Sequence, residues 1–99
     1  MIRASFKADN TGFELSGHSG YAEEGSDIIC AAVSAMAGLV IHIAVDIYKD
    51  GGKVYQDDNK AELGFYPEKT VSIPLVEGLY NQLAVLAEEY PGYVSVKRV

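Results

Sequence analysis

Cys30 and His18 are the residues whose types and spacing most suggest chemistry. A thiolate attacks carbonyl carbon readily, and an imidazole within reach can take its proton and later return it to a leaving group. Ser26 or Asp27 can cap a helix that starts just before Cys30. With either cap, Cys30 lies in the first turn, at about N3 or N4. There the unpaired amides and the positive helix end favour an ionised sulfur, and the same amides suit a developing oxyanion. The plainer alternative is a buried cysteine acting as a small hydrophobe. His18 ends a strand whose loop feeds directly into the Cys30 helix, a junction where sites commonly form in α/β units. Its plainer alternative is a polar-face histidine with no role. His42 lies twelve residues beyond Cys30 on the same helix, about 18 Å along the axis, too far to serve and better read as structural. Asp27 either orients the imidazole as a third member or caps the helix. Ser34, one turn past Cys30, either hydrogen-bonds near the sulfur or bonds back to its own helix. His18, Cys30 and Asp27 are a poor zinc set, and Gly17 and Gly20 belong to no phosphate loop, so neither a metal nor a cofactor is expected.

The flanking sequence supplies elements able to position these groups. Ile2 to Ala8 alternates, with Ile2, Ala4, Phe6 and Ala8 on one side and Arg3, Ser5 and Lys7 on the other. Asp9-Asn10-Thr11-Gly12 is a turn, and Phe13 to His18 alternates again, completing a hairpin. A glycine-containing loop, Ser19 to Gly25, joins it to the helix. Ile28 to Val45 is eighteen residues without a formal charge, long enough for a membrane span to be the rival reading. Against a span, Cys30, Ser34, Gly38, His42 and Asp46 recur every four residues as a small and polar stripe. The expectation is a central helix with most of its surface packed, and with Gly38 admitting a close neighbour.

After Asp50-Gly51-Gly52, Lys53 to Gln56 and Lys60 to Tyr66 read as a second hairpin around Asp57-Asp58-Asn59. Pro74 suits a helix first turn. Val76, Leu79, Tyr80, Leu83, Leu86, Ala87 and Tyr90 keep helical spacing until Pro91-Gly92. Tyr93 to Val99 is a last strand. The order β-β-α-β-β-α-β predicts a single α/β domain over residues 1–99. It is a two-layer α+β sandwich with two helices on one face of a mixed or antiparallel sheet.

Composition narrows the function classes. Hydrophobic residues make up 48% of the 99 residues, enough for a core without disulfides. A single cysteine excludes an internal disulfide framework and fits a reducing compartment. MIRASFKADN has no apolar h-region, so no secretory signal and a cytoplasmic setting are expected. The net charge is −6 and the eight basic residues are scattered, which argues against direct nucleic-acid binding and permits a basic partner.

Gly17-His18-Ser19-Gly20-Tyr21, followed by Gly25-Ser26-Asp27-Ile28-Ile29-Cys30-Ala31-Ala32-Val33-Ser34, closely resembles the ribosomal-processing cysteine protease family. The shared pattern is G-H-x-G-Y, a short gap, then G-x-D-I-[IV]-C-A-A-x-S. The likeness extends to chain length, the opening hairpin and the Tyr90-Pro91-Gly92-Tyr93 passage. Ile29 stands where valine is common, a change of one methylene with no catalytic consequence. The resemblance implies a Cys30–His18 pair, a homodimer, and one basic large-subunit ribosomal protein as substrate. It implies removal of a short N-terminal extension after two phenylalanines.

The loop from Ser19 to Gly25 joins both candidate residues and holds one large apolar side chain, Tyr21. It either closes over substrate, with Gly20 and Gly25 as hinges, or is an ordered connector beside a preformed groove. The contrasting reading of the chain is a non-enzymatic ribosome-associated module that binds a basic tail and releases it intact.

Overall fold

The computed structural model describes residues 1–23 and 26–99. Alternation in the first twenty residues becomes β1 (Ile2–Phe6) and β2 (Phe13–Ser16), and the second hairpin becomes β3 (Lys53–Asp57) and β4 (Glu62–Tyr66). α1 spans Ile28–His42 and runs on through a π-helical turn, Ile43–Ile47. A single 3₁₀ turn, Thr70–Ser72, leads into α2 (Ile73–Glu89), with Pro74 in its first turn, and β5 (Val94–Arg98) closes the chain. The sheet order is β3-β4-β2-β1-β5. β1 and β5 are parallel and the other neighbours antiparallel, so the sheet is mixed. Both helices lie against it, and α2 packs on β5 and on α1.

Register explains the core. Phe6 pairs with Phe13 and Phe13 with Phe65, which brings three phenylalanines together on the helix-facing side. Phe6 and Phe13 stack at 5.5 Å, Phe13 meets Phe65 edge-on at 6.2 Å, and Tyr80 of α2 meets Phe6 at 5.3 Å. Ile29, Val33 and Ala37 of α1 and Val76, Leu79 and Leu83 of α2 close the layer above them. Each of these side chains other than Ala37 contributes about 1.5–3 kcal/mol of transfer free energy.

Two expectations are corrected. β2 ends at Ser16 rather than His18, because Gly17 turns the chain at φ +90°, where an added Cβ would lie 2.6 Å from the Met1 carbonyl oxygen. His18 thus leaves the sheet and enters the loop. Nor is α1 packed on most of its surface. Ile28, Leu39 and Ile47 are each more than half exposed, and a Cβ at Gly38 would meet nothing within 4 Å. The stretch Ile28–Ile47 is long and apolar enough to cross a membrane by length and composition. In this fold one face of it covers the sheet.

Asp50, just past the π-helical turn, is buried and acts as a staple. Its Oδ1 accepts the Gly52 and Glu68 amides, both at 2.8 Å, and its Oδ2 accepts the Lys69 amide at 3.0 Å and the Ser72 hydroxyl at 2.6 Å. One carboxylate therefore holds the end of α1, the start of β3 and the entry to α2 together. From sequence Asp50 reads only as the end of a segment.

Candidate active site

Asp27 is the N-cap of α1, which fixes Cys30 at N3. Its Oδ1 accepts the amides of Ile29 and Cys30, each at 3.0 Å, while its Oδ2 accepts the Ser19 hydroxyl. The Ser19 hydroxyl oxygen in turn accepts the Tyr21 amide at 3.1 Å. The Ser19 amide donates to Cys30 Sγ at 3.3 Å. Loop, cap and sulfur are thus one network, and Ser19, only 2% exposed, is its centre. An N–H aimed at the sulfur stabilises negative charge there, while the ionised Asp27 cap offsets the positive helix end.

The Ser19 hydroxyl first, and then the Cys30 amide, hold the Asp27 carboxyl down at about 2, against a smaller opposing effect of burial. A carboxyl lowered in the folded state stabilises the fold above its unfolded value, near pH 4. That contribution fades as the pH falls toward 2. Ser19→Ala is expected to raise the Asp27 titration toward the ordinary carboxylate range, read from its side-chain carbon shift. By misplacing the loop it should also cut turnover on the order of tenfold to a hundredfold. An unmoved Asp27 titration would show that the hydroxyl does not set this carboxylate.

His18 and Cys30 line the same groove, together with Gly17, Gly20, Asp27 and Ser34. His18 is exposed and Cys30 partly buried. Among the described residues no hydrogen bond joins the imidazole to Sγ, and Asp27 serves the helix amides and Ser19 rather than His18. Ser34 sits one turn past Cys30 and faces the groove. His42 lies away from it, exposed, with Nδ1 2.7 Å from Asp46 Oδ2. Tyr21 packs edge-on against Tyr93 at 5.3 Å and Tyr90 at 5.9 Å, so the loop has an aromatic berth outside the groove. Gly20 adopts φ +74°. Gly25 lies outside the described residues.

One expectation about the oxyanion is revised. The first-turn amides of Ile29 and Cys30 are taken by Asp27, so these two donors do not point at a substrate carbonyl. Ser19 is the residue that sequence reasoning missed. Its only signal is a hydroxyl next to His18 at a position that the loop's return to Asp27 buries.

Residues 1–95 match the family model described as cysteine protease Prp. The ribosomal processing cysteine protease Prp of Bacillus subtilis (strain 168) is 31% identical over 105 residues, covering 96% of this chain and 91% of that protein. Among solved structures, the essential ribosomal processing protease Prp from S. aureus, with a covalently linked product peptide, superposes with a TM-score of 0.90. The two are 19% identical and all of both chains is covered. SMU.848 from Streptococcus mutans superposes at 0.82 with 26% identity, over all of this chain and 94% of that one.

Proposed function

The chain belongs to the Prp family of cysteine proteases, and from that premise we propose that it is the endopeptidase that removes a short N-terminal extension from a large-subunit ribosomal protein, cutting after a Phe-Phe pair. The observation that carries the reading is the sulfur of Cys30 at helix position N3, met by the Ser19 amide, in a groove that His18 also lines. Cys30 thiolate attacks the carbonyl carbon of the second phenylalanine. Loop amides, Gly20 among them, hold the oxyanion. The His18 imidazolium gives its proton to the leaving amine, and the neutral imidazole then takes one from the water that releases the acyl group. Asp27 and Ser34 act as supports, the first by fixing the helix start and Ser19, the second from one turn along the groove wall. The loop after His18 leaves its berth on Tyr90 and Tyr93 and closes over the bound tail, completing the oxyanion site.

The groove's other lining groups favour a basic tail. Asp58 and Glu62 line it, and among the described residues no lysine or arginine does. The exposed apolar side chains on α1, with Tyr48 beside them, suit burial in a homodimer. Ribosome maturation places the work in the cytoplasm.

The test is to incubate the purified protein with the tailed precursor and weigh both products. Two fragments meeting after the second phenylalanine are expected. A cut elsewhere overturns the Phe-Phe assignment, and an intact precursor overturns proteolysis.

A further inference from the structure

We infer that Ala61, in the turn between β3 and β4, is a positioning residue for His18: its left-handed backbone aims a carbonyl at the Gly17 amide and so sets where His18 stands relative to Cys30; this rests on the proteolytic reading above. Ala61 adopts φ +50°. In that region an L side chain crowds its own backbone, so the place usually falls to glycine or asparagine. Such outliers persist where their surroundings enforce them, and they gather at functional sites. The enforcement here comes from the turn itself. Asp57 Oδ1 accepts the Asn59 amide at 3.1 Å and the Lys60 amide at 3.2 Å. The Asp58 carbonyl accepts the Ala61 amide at 3.3 Å, and the Ala61 carbonyl in turn accepts the Gly17 amide at 3.0 Å. Ala61, Gly17 and His18 all line the one groove that holds Cys30.

Gly17 is the point where the chain leaves β2, at φ +90°. Ala61 holds its amide, and the Met1 carbonyl oxygen lies where a Cβ would go, 2.6 Å from it. Two residues on, Ser19 is tied down by its amide on Cys30 Sγ and its hydroxyl on Asp27. His18 therefore hangs from a backbone clamped at both neighbours, while its own side chain is exposed. The imidazole reaches the sulfur by turning about its side-chain bonds, not by travel of the loop beyond it. A ring swung from a fixed Cα carries any error in that Cα to the reacting atoms. A misplacement of about 1 Å can cost about a hundredfold in rate. The Ser19 clamp belongs to the helix start, whereas the Gly17 clamp comes from a distant hairpin and depends on the conformation of one alanine.

A turn that merely closed the hairpin would affect stability and leave the imidazole indifferent to it. Ala61→Val separates the two roles, because a β-branched residue rejects left-handed backbone, while Ala61→Gly and Ala61→Asn accept it. The valine variant is expected to lose about 10–100-fold in kcat on the tailed precursor. It should also slow iodoacetamide labelling of Cys30 at about pH 6 to 7 to the rate of His18→Ala, and adding His18→Ala to it should slow labelling no further. The glycine and asparagine variants should keep kcat within about threefold. Replacing Gly17 with glycolic acid turns its amide into an ester, removing the same N–H without touching the turn or any side chain. That protein decides the matter if the valine variant does not fold. It should show the same loss in kcat with KM within about threefold, and the same slow labelling.

A folded Ala61→Val as fast as wild type overturns the assignment. So does an ester protein with wild-type kcat and labelling, or labelling of Ala61→Val that still falls about tenfold when His18 is removed. Labelling that follows this pattern in an enzyme that cuts no precursor leaves Ala61 as the positioning residue and overturns proteolysis instead.

Discussion

Cys30→Ala is expected to lower kcat/KM on the tailed precursor about 10⁵-fold, and His18→Ala about 10³-fold to 10⁴-fold. The difference follows from their roles. Without sulfur no acyl-enzyme forms, and what remains is water attack assisted by loop amides. Without imidazole the sulfur still attacks when ionised, helped by the Ser19 amide at 3.3 Å, but the leaving amine departs unprotonated. Because the two act as a unit, the double variant should be no slower than Cys30→Ala alone. Both side chains reach the groove surface, so the variants should unfold within about 1 kcal/mol of the wild type, which thermal melts check. Cleavage retained by Cys30→Ala would remove the nucleophile from this account. A His18→Ala enzyme as fast as wild type would remove the base.

Asp50→Ala should cause the largest loss of stability. Burial alone pushes the Asp50 carboxyl up, but the Ser72 hydroxyl and the Glu68, Lys69 and Gly52 amides together outweigh it and hold it at about 2. Removing the carboxylate strands four donors, one of them on fully buried Ser72. The cost is expected on the order of 3 kcal/mol, a large share of the about 5–15 kcal/mol typical of such a domain, and a Tm lower by about 12 °C or more. The pH dependence has a definite sign. The folded-state value lies below the ordinary one near 3.8, so the stabilisation is complete above about pH 4 and is lost as the pH falls toward 2. Urea unfolding from pH 5 to 2 should show a shallower acid decline in Asp50→Ala than in the wild type. A Tm unchanged within 2 °C would show that the staple is dispensable.

Much of this was legible in the residues. Alternation from Ile2 and helical spacing from Val76 are local patterns that survive packing, although β1 stops at Phe6, leaving Ala8 exposed, and α2 stops at Glu89, short of Tyr90. The Cys30 position was legible because capping depends on a few neighbouring residues. What the sequence hid depends on contacts between distant segments. Ser19 is buried only because the loop folds back on Asp27, eight residues on. Asp50 meets Glu68, Lys69 and Ser72 across eighteen to twenty-two residues. The exposed face of α1 was misjudged for a similar reason: an apolar helix looks the same whether two layers cover it or one. The end of β2 turned on a single backbone angle at Gly17, which alternation cannot register.

The most direct measurement is the rate at which iodoacetamide alkylates Cys30 at about pH 6 to 7, in the wild type and in His18→Ala. A nucleophile activated by imidazole labels quickly in that range, where an unassisted thiol is largely protonated. The account predicts fast labelling confined to Cys30, at least about tenfold slower without His18. Slow labelling that is indifferent to His18 would contradict it, and would leave a domain that binds a ribosomal tail without cutting it.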